Sequence, residues 1–132
     1  MKIIQGELPC FKLYEDDLVI SFLSIQPINL GHALVVPKIE VDYFVDVPEP
    51  HYSRVFQVAN PLSKAIHSAT KCLRVGTAVV GLEVPHFHYH LIPLNSAGDL
   101  SFARAKTRPM EELKSIHEKI MGEVKNQGGI LI

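Results

Sequence analysis

Apolar residues recur along this chain with two different periods. In FKLYEDDLVISFLSI, residues 11–25, apolar runs lie on both sides of Glu15-Asp16-Asp17, the pattern of two strands joined by a polar turn. The second run, LVISFLSI, is rich in β-branched and aromatic side chains and predicts a strand. QPINLG then predicts a loop, and HALVVPK a short strand stopped by Pro37. From residue 46 the period changes. Val55, Val58, Ala59, Leu62, Ala65, Ile66, Ala69 and Leu73 keep helical spacing. They predict a helix within residues 46–73, kinked or split at Pro61, which has no backbone donor. RVGTAVVGLEV, residues 74–84, predicts a strand, and HFHYHLIPL, residues 86–94, the next. A second helix is predicted over RPMEELKSIHEKIMGEVKN, with Leu113, Ile116, Ile120 and Val124 as its apolar stripe. Pro109 suits its first turn, Glu111 and Glu112 its positive end, and Gly128-Gly129 its stop.

Strands, helix, strands and helix in that order, with hairpin-like spacing, predict an antiparallel sheet and an α+β domain. With 132 residues, 47% of them hydrophobic, the chain has the size of one domain spanning residues 1–132. A net charge of −1 argues against a basic face for nucleic acid. No window is long and apolar enough for a membrane span. MKIIQGELPCF is not a signal peptide, because Glu7 and Pro9 interrupt any apolar run. Cys10 and Cys72 are far apart, which excludes a zinc ribbon and disfavours a disulfide scaffold. Reduced thiols and a cytoplasmic location are expected.

The candidate chemistry lies in VPHFHYHLIPL, residues 84–94, where His86, His88 and His90 occupy every second position. On a strand such residues share one face, roughly 7 Å apart, while Phe87, Tyr89 and Leu91 face a core. A row of three imidazoles has little structural benefit. One use is a metal site, completed by another ligand such as Glu83, though three ligands on one straight strand are too spread out for one ion. The other is covalent phosphoryl chemistry, in which a central neutral imidazole attacks phosphorus and its neighbours orient it and stabilise charge.

HFHYHLI resembles the signature of the histidine triad family, in which histidines alternate with apolar residues. IIQGELPCFKLYEDD and ISFLSIQPINLGHALVVPK are similar to the segments that precede the signature in that family. The resemblance covers most of residues 2–94 and implies a five-stranded antiparallel sheet with two main helices. It also implies a homodimer formed partly through the long helix. It implies that His88 attacks the α-phosphorus of a nucleoside 5′-phosphate derivative, of phosphoramidate or dinucleotide type. A nucleotidyl-histidine forms, and water releases nucleoside monophosphate. His86 and His90 match the flanking histidines, and His32 the fourth, supporting histidine. Ile3, Phe22 and Ile25 match the apolar walls around the base. No catalytic metal and no other cofactor are implied, and retention of the third histidine favours hydrolysis over nucleotidyl transfer.

The chain departs from the family pattern at several places, among them RVGTAVV, which has no clear match for an asparagine often found on that strand. Ser24 stands where many members hold the ribose with an aspartate. Leu82 and Glu83 replace a glutamine and a hydroxyl ahead of the triad, so Glu83 either donates to a leaving atom, repels phosphate or faces solvent. A binding module without catalysis and a zinc-dependent hydrolase are the alternative readings. Arg104, Lys106 and Arg108 are expected in a solvated loop, with recruitment of a polyanionic leaving group as the alternative.

Overall fold

The computed structural model describes residues 11–82 and 84–130. Five strands form one antiparallel sheet: β1 (Lys12–Glu15), β2 (Val19–Leu23), β3 (Ala33–Pro37), β4 (Arg74–Ala78) and β5 (Tyr89–Leu94), in the spatial order β1-β2-β3-β5-β4. The β1–β2 turn forms at Asp16, whose carboxylate accepts the backbone N–H groups of Leu18 and Val19 at 2.8 and 2.9 Å. This is the aspartate turn chemistry that the acidic triplet announced. Two helices, α1 (His51–Thr70) and α2 (Met110–Asn126), complete the α+β fold expected from the sequence.

Val19, Leu23, Ala33, Val35 and Leu91 on the sheet pack with Val55, Val58, Leu62 and Ile66 of α1 and Ile120 of α2 in one buried core. The sheet's other face carries a smaller cluster of Ile20, Phe22 and Val36, with Leu34 against it. Pro61 does not split α1, which runs unbroken for 20 residues. Pro61 is buried in the core face, and its carbonyl accepts Gln127 Nε2 at 2.8 Å, tying α1 to the end of α2. Leu73, expected on the helix stripe, lies beyond the helix and is 76% exposed, because Lys71 in the left-handed conformation (φ 59°) has already ended α1. The α2 stripe is buried at all four predicted positions.

Two strands are shorter than their apolar runs. β4 ends at Ala78 rather than continuing to residue 84, since its last partner is His90. β5 begins at Tyr89 rather than at His86. Pairing of β5 with β3 covers only Ala33–Leu91, Leu34–His90 and Val35–Tyr89. Beyond them stand Pro37 and Pro85, which have no N–H for a ladder. The three histidines therefore do not share one regular strand face. His90 lies in β5, and His86 and His88 lie in the irregular segment leading into it.

Candidate active site

His90 enters the site by register. Cross-strand partners share a face, so the pairs Phe22–Leu34 and Leu34–His90 put His90 on the face away from α1. His32 immediately precedes β3, where Ser24 N–H on its carbonyl at 2.9 Å extends the β2–β3 pairing by one residue. Gly31 allows this approach. Its φ is +102°, and a Cβ there would stand 2.7 Å from Thr70 Cγ2.

Backbone partners fix the ring tautomers. Ile28 N–H donates to His32 Nδ1 at 3.0 Å. A neutral His32 then carries its proton on Nε2, which donates to His90 Nδ1 at 2.9 Å. His90 in turn must carry its proton on Nε2, its remaining donor. His88 Nδ1 lies 2.7 Å from the carbonyl of His86, which can only accept, so Nδ1 carries an N–H, and in the neutral ring Nε2 is bare. His86 Nε2 donates to the Pro37 carbonyl at 3.0 Å by the same argument.

Both supporting rings are kept uncharged. Burial, then His90 and His88, pushes His32 down to a pKa of about 3. Burial, then His88, pushes His90 down to about 4. The rings of His88 and His90 meet edge to face with centroids 4.8 Å apart, and Phe102 packs on His90 at 4.9 Å and His32 at 6.4 Å.

The structure thus brings His32, His90 and His88 into one chain of rings, while His86 turns to Pro37 and reaches His88 through its backbone carbonyl. A cleft of about 260 Å³ opens beside His88 between the 42–44 and 79–81 segments. Phe22 shares the face of His90 but is buried with Ile20 and Val36. Ser24 accepts Gln26 N–H at 3.2 Å, and Ile25 is 59% exposed. None of these three lines the cleft. Ile3 and Glu83 lie outside the described residues. Among the described residues, no group of three or more His, Cys, Asp or Glu could hold a metal ion, and no helix is long and apolar enough to cross a membrane.

Sequence reading missed Phe102 and the cleft wall of Asp42, Tyr43 and Phe44. Their signal was aromatic residues in polar stretches outside any predicted element, DYF and LSFAR. Of the three loop cations, Arg104 lies 3.6 Å from Asp99 and bonds Asn29 at 3.2 Å, and Arg108 makes two bonds to Glu112.

Comparison with known proteins agrees with this geometry. An uncharacterized HIT-like protein of Borreliella burgdorferi is 34% identical over 117 residues, 83% of this chain and 84% of its own. The adenosine 5′-monophosphoramidase of Saccharomyces cerevisiae is 32% identical over 126 residues, 93% and 80% of the two chains. A crystal structure of a Hit-like protein from Bartonella henselae superposes with a TM-score of 0.80 at 26% identity, covering 92% of each chain. The family model for the HIT domain matches residues 5–97, and with the triad, its supporting histidine and the five-stranded sheet in place, the chain belongs to the histidine triad (HIT) family.

Proposed function

We propose that this protein hydrolyses nucleoside 5′-phosphate derivatives at the α-phosphorus, with His88 Nε2 as nucleophile. The observation that carries the reading is the 2.7 Å contact of His88 Nδ1 with the His86 carbonyl. It holds a proton on Nδ1, leaves Nε2 of the neutral ring bare on a residue that lines the cleft, and would stabilise the cation that forms once Nε2 bonds phosphorus. The neutral His90 contributes its Nε2–H as a donor to a phosphoryl oxygen, without placing a second cation beside the developing imidazolium. His32 acts through His90, holding its tautomer.

Attack forms the Nε2–P bond and breaks the bond to the leaving group, which departs with a proton from water. A second water then attacks phosphorus, restores neutral His88 and gives up a proton, so the sum is one water added across the scissile bond. The related yeast phosphoramidase supports phosphorus–nitrogen bonds as a substrate class. Phe22, Ser24 and Ile25 are proposed to meet the nucleoside, with Ile3 and Glu83 completing the site, and no cofactor is required. The reading includes one domain over residues 1–132 in a cytoplasmic homodimer. Support for self-association is the outer edge of β4, unpaired among the described residues, with Leu73, Val80 and Leu82 exposed near its ends.

The test is intact mass after brief incubation with an adenosine 5′-phosphoramidate and non-acidic denaturation. A nucleotidyl adduct that maps to His88 and is absent from His88→Ala is the expected result. Turnover by wild type that survives in His88→Ala would refute the assignment.

A further inference from the structure

The reading above leaves open what departs from phosphorus. We propose that the cleft beside His88 receives the departing group, and that its aromatic wall and acidic rim select an amine with an apolar or aromatic arm over a phosphate chain. This rests on His88 being the nucleophile.

In-line displacement puts the leaving atom on the side of phosphorus away from the attacking ring. Apart from His88 and Phe87, the surfaces of this cleft are the 42–44 and 79–81 segments. Tyr43 and Phe44 stand there with rings edge to face at 5.5 Å, 59% and 44% exposed, opposite Val79 and Val80. Phe22, Ser24 and Ile25, assigned to the nucleoside, are not in the cleft, so its walls are free for the other half of the substrate.

Charge decides between the two kinds of leaving group. Among the described residues Asp42 is the one carboxylate lining the cleft, and it also lines an adjoining hollow with Glu40 and His86. No lysine or arginine lines either space among the described residues. Of the cations that follow the triad strand, Arg104 is turned to Asp99 and Arg108 to Glu112. Lys38, at the end of β3, is paired with Glu15. A chain of phosphates leaving through this cleft would meet carboxylates and, among the described lining residues, no lysine or arginine. An arylalkyl amine would bury its arm on Tyr43 and Phe44, and a second ammonium group would be drawn to Asp42 and Glu40. The phosphorus–nitrogen bond breaks as Nε2–P forms, and the nitrogen takes its proton from water in the open cleft.

The experiment compares kcat/KM for adenosine 5′-phosphoramidates of ammonia, benzylamine, 1,4-diaminobutane and β-alanine, and for diadenosine triphosphate. Benzylamine and diaminobutane derivatives are expected to exceed the β-alanine derivative and the dinucleotide by about tenfold or more. Substrate chemistry cancels in the variants. The benzylamine-to-ammonia ratio is expected to fall about tenfold in Tyr43→Ala/Phe44→Ala, and the diaminobutane-to-β-alanine ratio to fall severalfold in Asp42→Asn, more at low salt than at high. Ratios unchanged in these variants, or the dinucleotide as the best substrate, would overturn the inference. A His88 adduct with the ammonia derivative but a flat panel leaves the nucleophile standing and removes the leaving-group assignment. No adduct and no turnover removes both.

Discussion

Acidification should unfold this protein through the two buried rings of His32 and His90. His32 and His90 are held at about 3 and about 4, against an ordinary value of 6.5. Both are neutral in the fold at pH 5, while in the unfolded chain both are charged. The unfolded state then binds more protons, so stability is full above pH 6.5 and is lost as pH falls toward the folded values. Each pH unit below 6.5 costs about 1.4 kcal/mol per ring. At pH 5 that is about 2 kcal/mol each and about 4 kcal/mol for the pair, a large part of the 5–15 kcal/mol typical of a domain. Urea unfolding at pH 7.5, 6 and 5 measures it, and the slope gives about two protons taken up by these rings. His32→Gln should lower that uptake by about one proton. Proton NMR of the two rings in wild type provides a second measurement, with neither titrating above pH 5. A His32→Gln slope equal to wild type, together with a His32 resonance that titrates near pH 6.5, would refute the argument.

Other expectations follow from single contacts. His88→Ala should lower kcat/KM by about three orders of magnitude or more while leaving the unfolding midpoint nearly unchanged, since it removes the proposed attacking atom rather than core packing. Gly31→Ala combines a forbidden φ with a 2.7 Å clash on Thr70 and should cost about 2–3 kcal/mol in urea unfolding. Phe102→Ala uncovers one side of His90, so the His90 titration by NMR should move up toward 6.5, with Phe102→Leu restoring most of the difference. Ile66→Ala, at a fully buried position of α1, should cost about 3 kcal/mol.

Where the site was legible in the sequence, periodicity and backbone pairing gave the same answer. The α2 stripe was readable because Leu113, Ile116, Ile120 and Val124 all face one core. His32 was found only through family likeness, since a lone histidine before a strand has no local signature. Its role comes from Ile28 N–H, four residues back, and from His90, 58 residues ahead. Tyr43, Phe44 and Phe102 escaped because they act from segments with no period, where hydrophobic patterning carries no information.

The triad itself shows why alternation was a good detector and an incomplete description. Had residues 86–88 continued β5, His88 would stand perpendicular to the sheet, and its Nδ1 could not turn back to the carbonyl of His86. Extending the β3–β5 register past Val35–Tyr89 would bring the triad against Pro37, which cannot donate. The segment leaves the ladder instead. Phe87 N–H turns to the Val41 carbonyl at 2.7 Å, and His86 takes the Pro37 carbonyl with its ring. That departure frees the His86 carbonyl to hold the proton on His88 Nδ1. The strand therefore positions His90, and the end of the strand orients His88. The tautomer of neutral His88 follows from the loss of the regularity that made the motif visible.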